Sequence, residues 1–309
     1  KQAASISPRI SPSVTLSTMH GCPPDEIEAI CRYMLSDRSI DTFVKLNPTL
    51  LGYDRVRHIL DALEYDYLHI SRESFAKDLN YQDALEMLQR LAELARSEGR
   101  GFGVKLSNTL GSINDQGSLP GEEMYASGRV LYPLTMRLAA DLSREFSGTL
   151  PISYSGGAAA DNIAEIFNAG VRPITAATEL LKPSGYMRLT DMVRACESAD
   201  RGWKSTEVDW KALSRLADAA LEDPRYKKSW RGDDVITTGD PLPLTDCYIA
   251  PCVAACPIKQ DVPEYVYLAG QGLYDVALEV IYQKNPLPHI MGYICDHQCM
   301  YNCTRMDYE

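Results

Sequence analysis

The chain has 309 residues and a mass of 34.4 kDa, enough for one large domain or a large domain with a small one. Apolar residues make up 45% and charged residues 24%, which supports a buried core and excludes a disordered chain. The formal charge of −11 gives no electrostatic reason to bind nucleic acid or an anionic membrane, and the absence of any apolar run of about 18 residues excludes a spanning helix. The chain begins Lys1-Gln2 without an initiator Met or a signal-like apolar stretch, so it reads as a piece of something longer.

From residue 13 to about 190, short apolar runs alternate with amphipathic ones, the pattern of strand–helix units in a parallel sheet. Strands are expected at 14–19, 42–47, 102–108, 150–154 and 173–178, with 67–70 as an additional strand outside the series. The first helix carries Ile27, Ile30, Cys31 and Met34 on one stripe. A second carries Ala84, Met87, Leu88, Leu91 and Ala95, and a third, after Pro133, carries Leu134, Leu138 and Leu142. The polar, Gly-rich stretch 111–125 shows no periodicity and reads as a connector or a lid. A polar helix at 208–221 then leads into a charged, Pro-containing stretch at 223–243, which includes Lys227-Lys228 and reads as a linker. The expected organisation is a partial barrel at 1–200, a helical linker at 201–240 and a small helical module at 241–309.

Six of the nine cysteines fall in the last 63 residues. Cys247-x4-Cys252-x3-Cys256-Pro257 is followed, 38 residues later, by Cys295-x3-Cys299-x3-Cys303. Thiolates on short irregular turns, with a proline closing a run, are how iron–sulfur clusters are held. Structural zinc is the competing reading, although the tight Cys-x2-Cys knuckles usual for it are absent. Disulfides suit secretion, for which nothing here argues. Two helices between the triplets, patterned by Tyr265, Val266, Val276, Ala277, Val280 and Ile281, would bring the sulfurs together and supply their burial.

Elsewhere, Ser155-Gly156-Gly157 lies between a strand and a helix, and the next strand ends Ala176-Ala177-Thr178. Such a pair of loops can bind a phosphate, though glycines also serve simply to turn the chain. Lys45 and Lys105 both sit on strands, where a solvated barrel-end lysine is the plain alternative to a ligand contact. Cys22, in His20-Gly21-Cys22-Pro23, is either packed in a loop or functional.

The spacing of the cysteines, with Asn285-Pro286 between the triplets, resembles the iron–sulfur module of the glutamate synthase small subunit and of dihydropyrimidine dehydrogenase. That resemblance implies two [4Fe-4S] clusters, one taking Cys247, Cys252 and Cys303, the other Cys256, Cys295 and Cys299. Leu244 stands where that family has a further cysteine, and six thiolates do not supply eight ligands. The preceding region resembles the carboxy-terminal part of the FMN barrel of dihydroorotate and dihydropyrimidine dehydrogenases. It implies an α/β fold, a partial (β/α)8 TIM-type barrel holding strands four to eight. It also implies FMN contacts at Lys45, Asn108, Thr109, Gly156, Gly157, Ala177 and Thr178, and a catalytic position at Cys22.

Taken whole, with Thr18-Met-His-Gly-Cys-Pro-Pro24 and Leu46-Asn-Pro-Thr-Leu-Leu-Gly52, the chain resembles the selenate reductase subunit family, iron–sulfur flavoproteins related to the glutamate synthase small subunit. The resemblance implies three further barrel strands upstream, and FAD- and NADPH-binding domains downstream. The expected function is a cytoplasmic oxidoreductase fragment, inactive alone. It would relay electrons between a nicotinamide/flavin donor and an acceptor through the clusters, with other domains of the parent chain, a partner oxidoreductase subunit or a second copy as partners. The alternative is a non-catalytic scaffold with a decayed barrel, motivated by Met19 where the family usually has asparagine. Five strands do not close a barrel packed by eight, so the sheet should be open.

Overall fold

The computed structural model describes residues 11–17, 22–115, 121–182, 185–197, 199, 207–230 and 249–303. The chain divides into two units, residues 1–235 and 236–309. Among the described residues no helix is long and apolar enough to cross a membrane.

The first unit is built on five parallel strands: β1 (Ser13–Ser17), β2 (Asp41–Leu46), β3 (Phe102–Leu106), β6 (Ile152–Ser155) and β7 (Ile174–Thr175). Among the described residues they pair in the order β1-β2-β3-β6-β7 as an open sheet, a partial barrel, as five strands require. All five lie where the apolar runs place them, within a few residues. Residues 18–20 at the end of the first expected strand are outside the described residues. The stretch 67–70 is turn and coil rather than a strand, although the Ile113 N–H donates to the His69 carbonyl.

Helices α1 (Pro24–Arg32), α2 (Tyr53–Ala62), α3 (Arg72–Lys77), α4 (Tyr81–Ser97), α5 (Leu131–Glu145), α6 (Ile163–Asn168), α7 (Arg188–Glu197) and α8 (Trp210–Glu222) complete the unit. Alternation on the strands sends Val44, Leu46, Val104, Leu106, Ile152 and Tyr154 to one buried face, packed with α4 and α5. On α4 the whole expected stripe, Ala84, Met87, Leu88, Leu91 and Ala95, is buried. On α1, Ile27 and Cys31 are buried, but the next inward residue is Leu35 rather than Met34. Residues 33–37 form a π-helical turn, and its one extra residue per turn rotates the stripe by one position.

Two expectations fail here. The stretch 111–125 is not an irregular connector: β4 (Leu110–Ile113) and β5 (Glu123–Ala126) pair antiparallel as a separate two-stranded sheet, with 116–120 outside the described residues. The helix assigned to a linker is α8, capped by the Asp209 carboxylate, and it packs on α5 within the first unit. Leu213, Ala217 and Ala220 are buried there, and α5 is consequently buried on nearly every side.

Among its described residues the second unit is helical: α9 (Pro251–Ala255), α10 (Val262–Gly270), α11 (Tyr274–Tyr282), α12 (Pro288–Ile294) and α13 (Gln298–Tyr301). Helices α10 and α11 pair, and α9 packs against α13. Three helices, not two, therefore separate the cysteine triplets.

Candidate functional site

In the second unit the sulfur-bearing residues sit at helix ends. Cys252 is in α9 and Cys256 is its C-terminal cap; Cys295 is the C-terminal cap of α12, Cys299 is in α13 and Cys303 follows that helix. Pro251 and Pro288 fix the first turns of α9 and α12, a role suited to proline because that N–H has no helical partner. Packing of α9 on α13 brings Cys252 and Cys256 toward Cys299. The half-buried Tyr265 of α10 marks the meeting point. Burial pushes its phenol pKa up, and Cys299, Cys256, Cys252 and Cys295, in that order, push it further. Cys247 lies outside the described residues.

Two hydrogen bonds shape the chain around these thiols. His297, in the left-handed conformation at φ 56°, donates its N–H to Cys295 Sγ at 3.4 Å. Lys259, just beyond Cys256-Pro257, donates its ammonium to the Ala254 carbonyl at the end of α9. Cys252, Cys256, Cys295, Cys299 and Cys303 are all free thiols, as cluster ligation needs. Among the described residues no three His, Cys, Asp or Glu side chains are placed to hold a single metal ion. The intervening helices do not supply the expected burial. In this unit only Leu268, Ala277 and Gln260 are buried among the described residues; Tyr267, Tyr274 and Tyr293 are exposed, and so is Cys295. Short helices with apolar residues on several faces have too few partners among the described residues of the unit to cover them.

In the first unit the face of the sheet opposite the helices carries Lys45 and Lys105, directly paired across β2 and β3. Both are half-buried. Burial, and then the Lys45 charge, draw the Lys105 pKa down, so Lys105 is not the freely solvated lysine of the plain reading. Asn108 and Thr109 follow β3 in a loop, where the Asn108 N–H donates to the Leu46 carbonyl at 2.9 Å. Asn47, after β2, donates to Asp78, which also accepts from Thr49 at 2.8 Å.

The two small-residue loops meet the start of α5. A Cβ on Gly157 (φ +71°) would lie 2.7 Å from the Gly128 carbonyl oxygen and 2.9 Å from Arg129 Cα. Thr178 packs on Gly128 from the other side: a Cβ there would be 3.0 Å from Thr178 Cγ2. Gly157 and Thr178 thus converge on Gly128-Arg129, while Ala177 precedes the 3-10 turn Thr178–Leu181. Both glycines are required by packing, because a Cβ on Gly156 would lie 2.6 Å from Thr135 Oγ1. The loop is held by Asn162, which donates to the Gly157 carbonyl at 3.0 Å and to Tyr226 Oη at 3.2 Å, and by the stack of Tyr226 on Tyr132. Arg129 contributes its backbone to this junction, while its guanidinium donates to the Trp230 carbonyl at 3.2 Å and lies over the Trp230 ring.

Burial comes first and the neighbouring carboxylates of Glu26 and Asp25 follow, and both raise the Cys22 thiol pKa, the opposite of what a nucleophilic thiolate needs. Residues 18–21 beside it are outside the described residues.

Comparison with known proteins agrees with this two-part build. Residues 1–228 match the family described as "Oxidoreductase YgfK, N-terminal TIM-barrel domain". Residues 244–309 match the family described as dihydropyrimidine dehydrogenase domain II, 4Fe-4S cluster. YgfK of Escherichia coli (strain K12) is 60% identical over 296 residues, covering 96% of this chain and 29% of its own length. The NADPH-Fe(3+) oxidoreductase subunit beta of Geobacter sulfurreducens is 34% identical over 64 residues, 21% of this chain and 10% of that protein. The glutamate synthase [NADPH] small chain of Bacillus subtilis is 27% identical over 123 residues, 40% of this chain and 23% of that protein. The chain therefore spans less than a third of the length of YgfK. With a partial TIM-type barrel followed by a 4Fe-4S domain, the chain belongs to the YgfK oxidoreductase family, in its N-terminal TIM-barrel region.

Proposed function

We propose that the chain is the part of an oxidoreductase in which reducing equivalents from a nicotinamide nucleotide, taken up by a flavin elsewhere in the parent protein, pass through iron–sulfur clusters. The acceptor is a barrel-bound FMN or a partner subunit, and a selenate-type oxyanion is the terminal acceptor that the family resemblance suggests. The observation that carries the reading is the gathering of cysteines from α9, α12 and α13 around Tyr265, in a chain whose other unit is a TIM-type partial barrel. Bound clusters would supply one-electron transfer, with potentials set by hydrogen bonds to sulfur and by exposure.

Cys247, Cys252 and Cys303 would hold one cluster, and Cys256, Cys295 and Cys299 the other. The His297 N–H would then donate to the Cys295 sulfur that carries the cluster. In the first unit Lys45 would face the flavin ring with Asn108 and Thr109 nearby. The N–H groups around Gly156-Gly157 and Ala177-Thr178 would meet its phosphate. Such chemistry fits a cytoplasmic protein, where thiols stay reduced.

A second reading, a scaffold whose barrel binds no flavin, is favoured by two observations: packing alone explains both glycines, and burial with nearby carboxylates raises the Cys22 thiol pKa. Anaerobic purification of the full-length parent protein, with iron, sulfide, zinc and flavin quantified on one sample, decides between them. FMN with matched iron and sulfide is expected. Matched iron and sulfide without FMN selects the scaffold, and zinc without sulfide overturns both readings.

A further inference from the structure

The sheet face that looks away from the helices carries a polar row that the family reading uses only in part. In-register pairing sets Ser17, Lys45, Lys105 and Ser153 side by side across β1, β2, β3 and β6. Neighbouring strands run about 4.8 Å apart, so two ammonium groups on flexible stems reach one small volume. Each lysine is the next-to-last residue of its strand, at the carboxyl end where TIM-type sheets place functional groups.

Among the described residues, neither lysine makes an ion pair or a side-chain hydrogen bond. The acid that β2 carries on the same face, Asp41, lies at the far end of the strand and accepts the Gly101 N–H at 2.9 Å. Like charges directly opposite one another on adjacent strands destabilise a sheet, and partial burial removes the water that would screen them. The depressed pKa of Lys105 reflects both effects. An anion seated between the two ammonium groups removes the repulsion and replaces the lost water.

We propose that Lys45 and Lys105 together bind the oxyanion group of a small ligand, a carboxylate or a tetrahedral inorganic oxyanion, with the exposed Ser17 hydroxyl as a third donor. Ser153 closes the row but already donates to the Pro173 carbonyl at 3.0 Å, so it shapes the site rather than supplying a proton to the ligand. The assignment needs the sheet face to be a ligand surface and does not need flavin.

Calorimetric titration of the flavin-free 309-residue chain with sodium sulfate, and separately with sodium succinate, at fixed ionic strength tests it. Saturable one-site binding of at least one probe is expected. It should weaken at least tenfold in Lys45→Met and in Lys105→Met, each shown by circular dichroism to be folded, and stay unchanged in Lys284→Met in the second unit. Preference for sulfate assigns an inorganic oxyanion; preference for succinate assigns a carboxylate. As a measurement on the unmodified sequence, acylation of Lys105 followed by peptide mass spectrometry should slow when the bound probe is present. No saturable binding of either probe, equal affinity in the lysine variants, or unchanged acylation overturns the proposal. Flavin content measured on the parent protein bears on the redox reading alone.

Discussion

Replacing Gly156 by alanine tests whether the loop after β6 is shaped by packing. The added methyl would lie 2.6 Å from Thr135 Oγ1, 3.3 Å from Thr135 Cβ and 3.5 Å from Leu131 Cβ. Thr135 is fully buried on α5, and its hydroxyl is bonded to Ser107 Oγ at 2.8 Å, so it cannot swing aside without giving up that bond. Gly156→Ala should therefore destabilise the first unit by about 1–3 kcal/mol, the usual cost of overfilling a close-packed site. Thr135→Ala alone forfeits one buried hydrogen bond, about 1 kcal/mol, because Ser107 keeps its bond to the Asn108 carbonyl at 2.9 Å. In the double variant the 2.6 Å overlap is gone and the remaining 3.3 Å contact relaxes with a shift of a few tenths of an ångström. Its loss of stability should be smaller than the sum of the single losses by about 1–2 kcal/mol. Urea unfolding followed by tryptophan fluorescence reads this, since Trp203, Trp210 and Trp230 all belong to the first unit. Additive losses, within about 0.5 kcal/mol, would refute the packing explanation of this glycine.

Two further outcomes are expected. Glu28 joins α1 to α4: the hydrogen bond from Arg90, helped by Arg32, holds its carboxyl below the usual range against the effect of burial. A depressed folded value means that its stabilising effect is complete above the unfolded value of about 4.3 and is lost as the pH falls through the folded one. Stability of Glu28→Gln should thus vary less steeply with pH across that acid window, and equal slopes in urea titrations of the two proteins would contradict the assignment. Cys256→Ser and Cys299→Ser should each lower iron and sulfide by about one cluster per chain in anaerobic preparations. Cys31→Ser should leave iron unchanged, because that thiol is buried in the core and pushed up to about 12. Unaltered iron in both of the first two variants would remove them from the ligand set.

The parallel strands were legible because a strand buried by helices writes itself as a short apolar run, as in residues 42–46, and α4 because its stripe keeps a strict helical period. The hairpin β4–β5 was not, since Leu-Gly-Ser-Ile and Glu-Met-Tyr-Ala alternate weakly and sit beside a polar, glycine-rich stretch. The displacement from Met34 to Leu35 depends on one π-helical turn, a hydrogen-bonding choice that residue spacing does not encode. At the site, the shallow burial of the cysteines was not legible, because it depends on what packs against three short helices. Lys105 looked like an ordinary strand lysine until pairing placed it against Lys45, because strand register is a tertiary fact.

The return of α8 onto α5 has a practical corollary for anyone dividing the gene. A boundary drawn after α7, where composition changes, would leave the outer side of α5 with the apolar contacts of Leu213, Ala217 and Ala220 removed and turned toward water. Such a product should be less soluble than one extended through residue 230, which keeps these contacts and the last helical turn at Pro224–Tyr226.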